Sequence, residues 1–345
     1  MKPRRLSREV DFSNFLKAVT RTGKPGYLPF YEHLASGGFV ERRMGGRPSD
    51  TASLKERMQY YTDFWLGMGY DNVPLEVPLN LPLAQGHGAL TEGSEAHAVI
   101  KSRVDFERYP WPAESAPLDL ARYEIAGSML PASVKLVAGA AMGPFEWVSQ
   151  MLGMVGMSYL LIDDPELVEM MFKRVGALHV SAMKLLAPMP FVGALRQGDD
   201  LGFKTSTFLP PERLREWVFP VYRDMAAIAH AHGKPFILHS CGNLAGVYDD
   251  LIDFCRIDAK HSFEDTILPV ADFKRLYGRR ITPLGGLDVD VICRSDEKTL
   301  RRYAREMIET CFADGFWTLG TGNSLTDYMP VENYLTVLDE GMKVV

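Results

Sequence analysis

The feature that most constrains this chain is a repeated alternation of two kinds of segment. Short apolar segments, often β-branched, end in Gly, Pro, His or Asp, and longer amphipathic stretches follow them. Eight of the apolar segments are predicted strands: 27–31, 72–77, 134–138, 191–195, 235–238, 256–259, 281–284 and 316–319. The clearest predicted helices between them are 51–68, 164–186, 211–232 and 297–312. Eight strands that alternate with helices predict a (β/α)8 TIM barrel.

An open, doubly wound sheet is the structural alternative. That fold places a glycine-rich, dinucleotide-binding loop directly after its first strand. Here the first predicted strand is followed by Glu32, His33 and Leu34, which favours the barrel. No low-complexity tract, like-charge block or Gly/Ser linker divides the chain, so one domain is predicted over 1–345. The stretch of about 79–117, with several glycines and prolines, is predicted to be a long loop excursion at the barrel mouth.

Composition narrows the class of protein. With 38 basic and 44 acidic side chains the net charge is −6, which argues against a nucleic-acid binder. No apolar run approaches the ~20 residues that span a bilayer, and no apolar region follows the basic start as in a secretory signal. Four cysteines in a chain of this length are not a disulfide framework. We therefore expect a soluble, cytoplasmic enzyme with a small-molecule substrate.

Chemically active side chains follow the predicted strands. In a barrel enzyme, catalytic groups lie at the C-terminal ends of the strands, so the residues there are the candidates for the site. From the first strand to the eighth they are Tyr31, Glu32 and His33; Glu76; Glu146; Arg196, Asp199 and Asp200; His239 and Cys241; His261; Asp288; and Asn323.

The sharpest local signal is the pair His239 and Cys241. Side chains two residues apart at a strand end point the same way, so imidazole and thiolate can face one metal ion. Zinc accepts both, and a catalytic zinc has three protein ligands and one open position. The alternative is a hydrogen-bonded histidine beside a small buried cysteine, without metal. No cysteine follows another predicted strand, which makes Glu76 the predicted third ligand.

Other strand-end residues allow two interpretations each. Asp199 and Asp200 could be a base, a metal ligand or, equally, a helix cap or loop anchor. Glu32 and His33 could be a base and its orienting partner. Arg196 suits a substrate carboxylate held bidentately, or a structural pair with Asp199.

Several motifs together carry a family resemblance. They are Pro29-Phe-Tyr-Glu-His33, Gln197-Gly-Asp-Asp-Leu-Gly202, Gly233-Lys-Pro-Phe-Ile-Leu-His-Ser-Cys-Gly-Asn243, Gly285-Gly-Leu-Asp288, Gly320-Thr-Gly-Asn-Ser324 and Pro330-Val-Glu-Asn333. On these residues the chain resembles, over nearly its whole length, the uroporphyrinogen decarboxylase superfamily, which includes methylcobalamin-dependent methyltransferases. The resemblance implies a (β/α)8 barrel that is often a homodimer.

The methyltransferase branch of that superfamily is the closer one in motif. The resemblance implies zinc held by a His-x-Cys pair after strand five, matched here by His239 and Cys241, and usually by a further cysteine after strand eight. Residues 320–324 contain no thiol, so Glu76 is expected to complete the zinc site. A corrinoid would be carried by a partner protein, because this chain has no recognisable corrinoid domain. The expected reaction is methyl transfer between a small methylated substrate or thiol and that corrinoid.

The remaining candidates receive roles from this interpretation. Glu32 and His33 are expected to handle protons, and Asp199 or Asp200 to position the substrate. Substrate contacts are expected from Tyr31, Arg196, His261, Asp288 and Asn323.

Two alternatives remain open. The first is a metal-free decarboxylase of a porphyrinogen or another carboxylated substrate, which would use Asp199 and Arg196. True decarboxylases of the superfamily bind their polyanionic substrate through an arginine-rich loop after strand one, where this chain has Glu32, whose charge would repel carboxylates. The second is a non-catalytic binding subunit that has lost the thiol after strand eight.

Overall fold

Six strands form one parallel sheet. The computed structural model describes residue 6 and residues 8–83 and 94–344. In this part of the chain each strand pairs in parallel with the next one. The strands are β1 (Asn72–Pro78), β2 (Lys135–Ala141), β3 (Val192–Gly198), β4 (Phe236–His239), β5 (Ala259–His261) and β6 (Thr282–Pro283). Sequential parallel order is the strand order of a (β/α)8 barrel.

The first and last predicted strands close the ring. Phe30 forms a parallel bridge with Leu319, and Thr318 forms another with Leu284, next to β6. On the opposite side the Asn72 amide donates to the Phe30 carbonyl across 2.7 Å. Eight parallel segments therefore surround one axis, and the predicted TIM barrel is confirmed.

These closing segments are shorter than the sequence pattern indicated. Strand 27–31 is reduced to a single bridge, and β6 spans only Thr282–Pro283. Pro29 and Pro283 have no N–H group to donate to a neighbouring strand. The ladder at the closing edge is therefore interrupted, although the segments stay in place.

Helices surround the strands. The α-helices of the described part are α1 (Phe12–Thr20), α2 (Gly37–Met44), α3 (Leu54–Leu66), α4 (Arg103–Arg108), α5 (Ala121–Met129), α6 (Pro144–Leu152), α7 (Met154–Asp163), α8 (Pro165–Leu186), α9 (Pro211–Arg213), α10 (Phe219–Ala231), α11 (Val270–Tyr277), α12 (Val289–Arg294), α13 (Glu297–Cys311) and α14 (Val331–Gly341). A 3-10 turn (Ser94–His97) and two π-helical turns (Leu214–Val218 and Asp250–Phe254) complete the helical elements.

The predicted helices form where their end signals stand. At the start of α3 the Ser53 side chain accepts from the Glu56 N–H, while the Glu56 carboxylate accepts from the Ser53 N–H. Asp164 caps α8 and Pro165 lies in its first turn. The predicted helix 211–232 forms as α9, a π-helical turn and α10 in succession.

Two apolar clusters make up the core. The larger one lies between the strands and the outer helices. The smaller one fills the barrel interior and consists of Phe12, Phe15, Val19, Tyr31, Val137, Ala194, Ile237, Ala259 and Leu284. Helix α1 closes the N-terminal end of the barrel, because Phe12 N–H donates to the Ser133 carbonyl before β2 and the Thr282 hydroxyl donates to the Ala18 carbonyl. The polar side chains of the strand ends therefore lie at the opposite, C-terminal end of the barrel.

The predicted excursion at 79–117 is described in part. Leu79 and Leu118 pair in an antiparallel bridge at its base, and α4 lies within it. The portion of the prediction that falls on 84–93 lies outside the described residues. None of the helices in the described part has the length and apolar character needed to cross a bilayer.

Candidate metal site

Three potential ligands meet at the C-terminal ends of β3 and β4. One ligand atom from each of Asp200, His239 and Cys241 lies within 4.8 Å of the others. His239 Nε2 is 3.5 Å from Cys241 Sγ and 3.7 Å from Asp200 Oδ1. The Cys241 N–H donates to the same Asp200 oxygen at 2.9 Å. The Asp200 side chain is 43% exposed, so the cluster opens to solvent at the barrel mouth.

The local backbone holds the pair in this arrangement. His239 is the last residue of β4, and Gly242 turns the chain directly after Cys241 with φ of 83°. A Cβ at Gly242 would lie 2.1 Å from the Gly202 carbonyl carbon. Only glycine allows the loops after β3 and β4 to approach this closely, which brings Asp200 beside the thiol.

The donor set fits a zinc ion. An imidazole nitrogen, a sulfur and a carboxylate oxygen are the atom types that zinc accepts, and three protein ligands leave one position for water or substrate. Among the described residues, this is the cluster whose donor atoms are close enough for one ion. The carboxylate in this cluster is that of Asp200, whereas the sequence had indicated Glu76.

Glu76 faces a different partner. Its Oε1 lies 3.1 Å from Arg196 Nε, and its Oε2 lies 3.9 Å from His33 Nε2. All three side chains are buried. A buried carboxylate needs a counter-charge, and Arg196 supplies it inside the barrel. The structure therefore places Glu76, the third ligand expected from the sequence, beside Arg196 and not in the cluster of Asp200, His239 and Cys241.

The thiol of Cys241 has further polar neighbours besides His239 and Asp200. The Asn323 amide Nδ2 donates to Sγ at 3.3 Å, and Ser262 Oγ lies 3.5 Å from Sγ. Burial, and then the charge of Asp200, raises the pKa of Cys241 to about 12. Without a cation the sulfur therefore keeps its proton at neutral pH, and a bound cation would favour the thiolate.

Three imidazoles lie in contact behind the thiol. The His33 ring stacks on the His239 ring with 3.7 Å between centroids and 14° between planes. His239 Nδ1 is 2.7 Å from His261 Nδ1, and His261 Nε2 is 3.0 Å from the Thr321 carbonyl. Burial lowers the pKa of His33 and His239 well below the ordinary value, and that of His261 to about 3. Burial therefore favours the neutral form of each ring.

Arg196 and Tyr31 are placed below these rings, inside the barrel. The Arg196 guanidinium donates to His33 Nδ1 at 3.1 Å and also to the His33 carbonyl. The Tyr31 ring packs edge-on against His261 with centroids 5.4 Å apart. Both side chains are fully buried. The sequence interpretation had expected both residues to contact substrate at the barrel mouth. The structure instead buries them beneath the histidine rings.

Glu32 binds the loop after the last strand segment. Its carboxylate accepts from the Thr321 N–H and hydroxyl, both at 2.6 Å, and from the Tyr334 hydroxyl at 2.7 Å. Burial raises its pKa to about 7, although these three donors oppose the shift. Glu32 thus holds Thr321 in place and lies away from the Cys241 thiol.

Asp199 and Asp288 are helix caps. Asp199 accepts from the Phe145 and Glu146 N–H groups at the start of α6, at 3.0 and 2.9 Å, and from the Tyr222 hydroxyl at 2.6 Å. Asp288 accepts from the Val291 N–H at 2.9 Å and begins α12. Asp199 therefore has the position of a helix cap, which was the alternative interpretation of this residue. Asp288 is not part of the cluster of Asp200, His239 and Cys241.

Several residues around the site received no role from the sequence. Ser262 follows His261 directly, and Thr321 lies two residues before Asn323. This nearness to predicted site residues was the one sequence signal that could have identified them. Glu146 was noted at a strand end; burial, then the charges of Asp199 and Asp200, raises its pKa to about 8. Lys260 is buried on β5, and burial lowers its pKa to about 8. No sequence pattern distinguishes such a lysine from a surface one.

Comparison with protein families decides the ancestry. The uroporphyrinogen decarboxylase family profile matches residues 92–342, well over half of the chain. The chain belongs to this family. The family resemblance seen in the sequence is thereby confirmed. A comparison with functionally curated proteins finds no similar sequence.

Two solved structures align with this chain over most of its length. A methyltransferase from Methanosarcina mazei aligns with a TM-score of 0.71 at 15% identity, covering 97% of this chain and 99% of that one. A structure described as a vitamin B12-independent methionine synthase from Listeria monocytogenes aligns with a TM-score of 0.48 at 12% identity, covering 92% and 98%. At this identity the likeness to the M. mazei enzyme establishes the fold alone.

Proposed function

We propose that this chain is a zinc-assisted methyltransferase. In this proposal His239, Cys241 and Asp200 hold the ion, and the methyl group moves between a small methylated substrate or thiol and a corrinoid on a partner protein. The observation that carries the proposal is the convergence of three different donor atoms within 4.8 Å at the open end of the barrel. The M. mazei methyltransferase, which has the same fold over nearly the whole chain, supports this choice of reaction.

The chain's own residues would prepare the donors. A zinc ion at this position supplies Lewis acidity and an open coordination site for a thiol or ether oxygen. Asn323 holds Cys241 Sγ through its amide, and Ser262 lies on another side of the same sulfur. The His33 ring covers one face of His239, so this ligand cannot tilt. The Asp200 side chain is 43% exposed and that of His239 only 7%, so solvent and substrate would reach the donors from the side of Asp200.

The alternatives are less well supported by the geometry. A decarboxylase that used Asp199 and Arg196 would need both groups at the mouth. Asp199 instead binds the first turn of α6, and Arg196 is fully buried against Glu76. A non-catalytic binding subunit would not require the convergence of three metal-binding atoms. Homodimer formation stays a prediction from the family resemblance.

The first test measures zinc. The protein is purified without added metal, and elemental analysis is compared for wild type, His239→Ala, Asp200→Asn and the control Cys293→Ser, whose thiol lies on α12. We expect about one zinc per chain in wild type and in the control. We expect His239→Ala and Asp200→Asn to retain much less zinc, because each variant lacks one of the three proposed ligands. Equal zinc in wild type and His239→Ala, or none in either, would exclude the site.

The second test measures reaction. Free methylcobalamin and a small thiol serve as probes, and the change in cobalamin absorbance reports loss of its methyl group. Wild type and Cys293→Ser are expected to accelerate this loss, and His239→Ala is not. Zinc binding without acceleration by any of a panel of thiols would favour the binding-subunit alternative and contradict the proposed reaction.

A further inference from the structure

A chain of hydrogen bonds leads from the main chain to the proposed ligand His239. It starts at the Thr321 carbonyl, which lies 3.0 Å from His261 Nε2. It continues from His261 Nδ1 to His239 Nδ1 across 2.7 Å. The other nitrogen of that ring, Nε2, faces Cys241 and Asp200. Two imidazoles thus lie in series between a fixed backbone oxygen and the metal donors.

The protons of this chain can be placed one at a time. A carbonyl oxygen only accepts, so His261 Nε2 must carry a proton. A neutral imidazole has one N–H, so His261 Nδ1 carries a lone pair. The short contact then requires the N–H on His239 Nδ1. His239 Nε2 is left as a lone pair that points toward the sulfur and the carboxylate.

We propose that His261 is a positioning residue that fixes the tautomer and ring orientation of His239 so that Nε2 can bind a cation. The inference rests on the proposed function, because it concerns the same site. Metal-binding histidines are generally oriented by a hydrogen bond from their other ring nitrogen. Here the acceptor is a second histidine, which the sequence interpretation had placed in contact with substrate.

Two further contacts keep this arrangement from relaxing. Thr321, the origin of the chain, is held by two hydrogen bonds of 2.6 Å to Glu32. The His33 ring is nearly parallel to the His239 ring at 3.7 Å. Rotation of the His239 ring by 180° would bring carbon atoms to both nitrogen positions and lose both interactions. Glu32 therefore acts on His239 through Thr321 and His261.

The direct experiment reads the tautomer by 15N NMR of imidazole nitrogens in the metal-free protein. Wild type is compared with His261→Leu, which removes the acceptor, and His261→Asn, whose amide oxygen can replace Nδ1 as acceptor. His232→Leu, at an exposed histidine after α10, is the control. We expect His239 to carry its proton on Nδ1 in wild type, His261→Asn and the control, and to shift toward the Nε2 form in His261→Leu. A proton on Nε2 of His239 in wild type, or a doubly protonated His261, would overturn the inference.

Zinc affinity gives an independent readout, measured by competition with a chromophoric chelator. His261→Leu is expected to weaken binding 10- to 100-fold, whereas His261→Asn and His232→Leu stay within about threefold of wild type. Thermal unfolding identifies variants that fail to fold, and the Asn variant controls for loss of packing. If wild type binds no zinc, the proposed function fails while the tautomer measurement still decides this inference. If zinc binds and His261→Leu binds it equally well, the inference alone fails.

Discussion

At the scale of single residues, the partners of each carboxylate determine what it can do. Glu32 and Asp200 follow strand segments, and Glu76 lies within β1, near the same end of the barrel. Glu76 lies against Arg196, Glu32 accepts three hydrogen bonds, and Asp200 remains partly exposed beside the thiol. A buried carboxylate is stable only with such partners. The free coordination capacity is therefore left to Asp200.

The environment of Glu32 makes stability depend on pH. Its pKa is about 7 in the folded protein, above the ordinary 4.5. Because the pKa of Glu32 is higher in the folded than in the unfolded chain, its contribution to the free energy of unfolding is fully present below the unfolded pKa of 4.5. This contribution is lost as the pH rises through the folded pKa of about 7. Glu32→Gln keeps hydrogen bonds to Thr321 and Tyr334 but does not titrate. We expect the stability of wild type relative to this variant to fall by about 3 kcal/mol between pH 4.5 and 8.

Urea unfolding at several pH values measures this difference. Subtracting the two curves removes the titration of the other groups, which both proteins share. A difference that stays constant over the range would show that the Glu32 pKa is not raised.

At the scale of elements, neighbouring residues after β3 serve different elements. Asp199 turns inward and binds the first turn of α6, whereas Asp200 reaches the loop after β4. The two N–H groups that Asp199 accepts have no partner within their own helix. Asp199, in the loop after β3, therefore fixes the start of α6 against the sheet. The same loop carries Asp200 and so also positions the candidate metal site.

Loss of this cap should destabilise the fold. Asp199→Asn leaves at least one of the Phe145 N–H, Glu146 N–H and Tyr222 hydroxyl groups without an acceptor. An unsatisfied buried donor costs about 1–3 kcal/mol, and we expect a loss of that size in urea unfolding. Asp272→Asn, at a half-exposed position on α11, should change stability by less than about 0.5 kcal/mol. Equal effects for the two variants would contradict the assignment of Asp199 as a cap.

At the scale of the whole molecule, the barrel closes where its first and last segments meet. The Tyr31 N–H donates to the Leu319 carbonyl, and the Leu319 N–H donates to the Pro29 carbonyl, both at 2.9 Å. Gly320 follows directly, and a Cβ there would lie 1.8 Å from the Tyr31 carbonyl oxygen. The absence of a side chain at this residue therefore permits closure, and closure brings Thr321 and Asn323 to the site.

Gly320→Ala is expected to open this junction. The added methyl group meets main-chain atoms that cannot move without breaking the closing hydrogen bonds, so we expect a loss of about 3 kcal/mol or more. Gly23→Ala, where a Cβ would meet nothing within 4 Å, is the control. Thermal unfolding of both variants measures the effect, and a Gly320→Ala melting temperature equal to that of the control would contradict it.

Much of the architecture could be predicted because local signals agree with it. Asp164 and Pro165 begin α8, and Ser53 and Glu56 begin α3. The apolar segments locate the barrel strands, although the sixth, predicted at 256–259, forms at Ala259–His261. The extent of the closing strands was overestimated, since Pro29 and Pro283 remove N–H donors that a periodic apolar pattern does not reveal. Several short helices, such as α6 and α12, were missed because their caps come from strand-end residues.

By itself, the sequence determined the barrel, the family and the His239–Cys241 pair, because periodicity, end signals and residue spacing act over short stretches of chain. The tertiary structure alone decided that Asp200 stands beside that pair, that Glu76 faces Arg196, and that His261 lies behind His239. These choices join residues 22 to 120 positions apart, and each depends on which buried charges and donors find partners when the barrel closes. No local pattern carries that information.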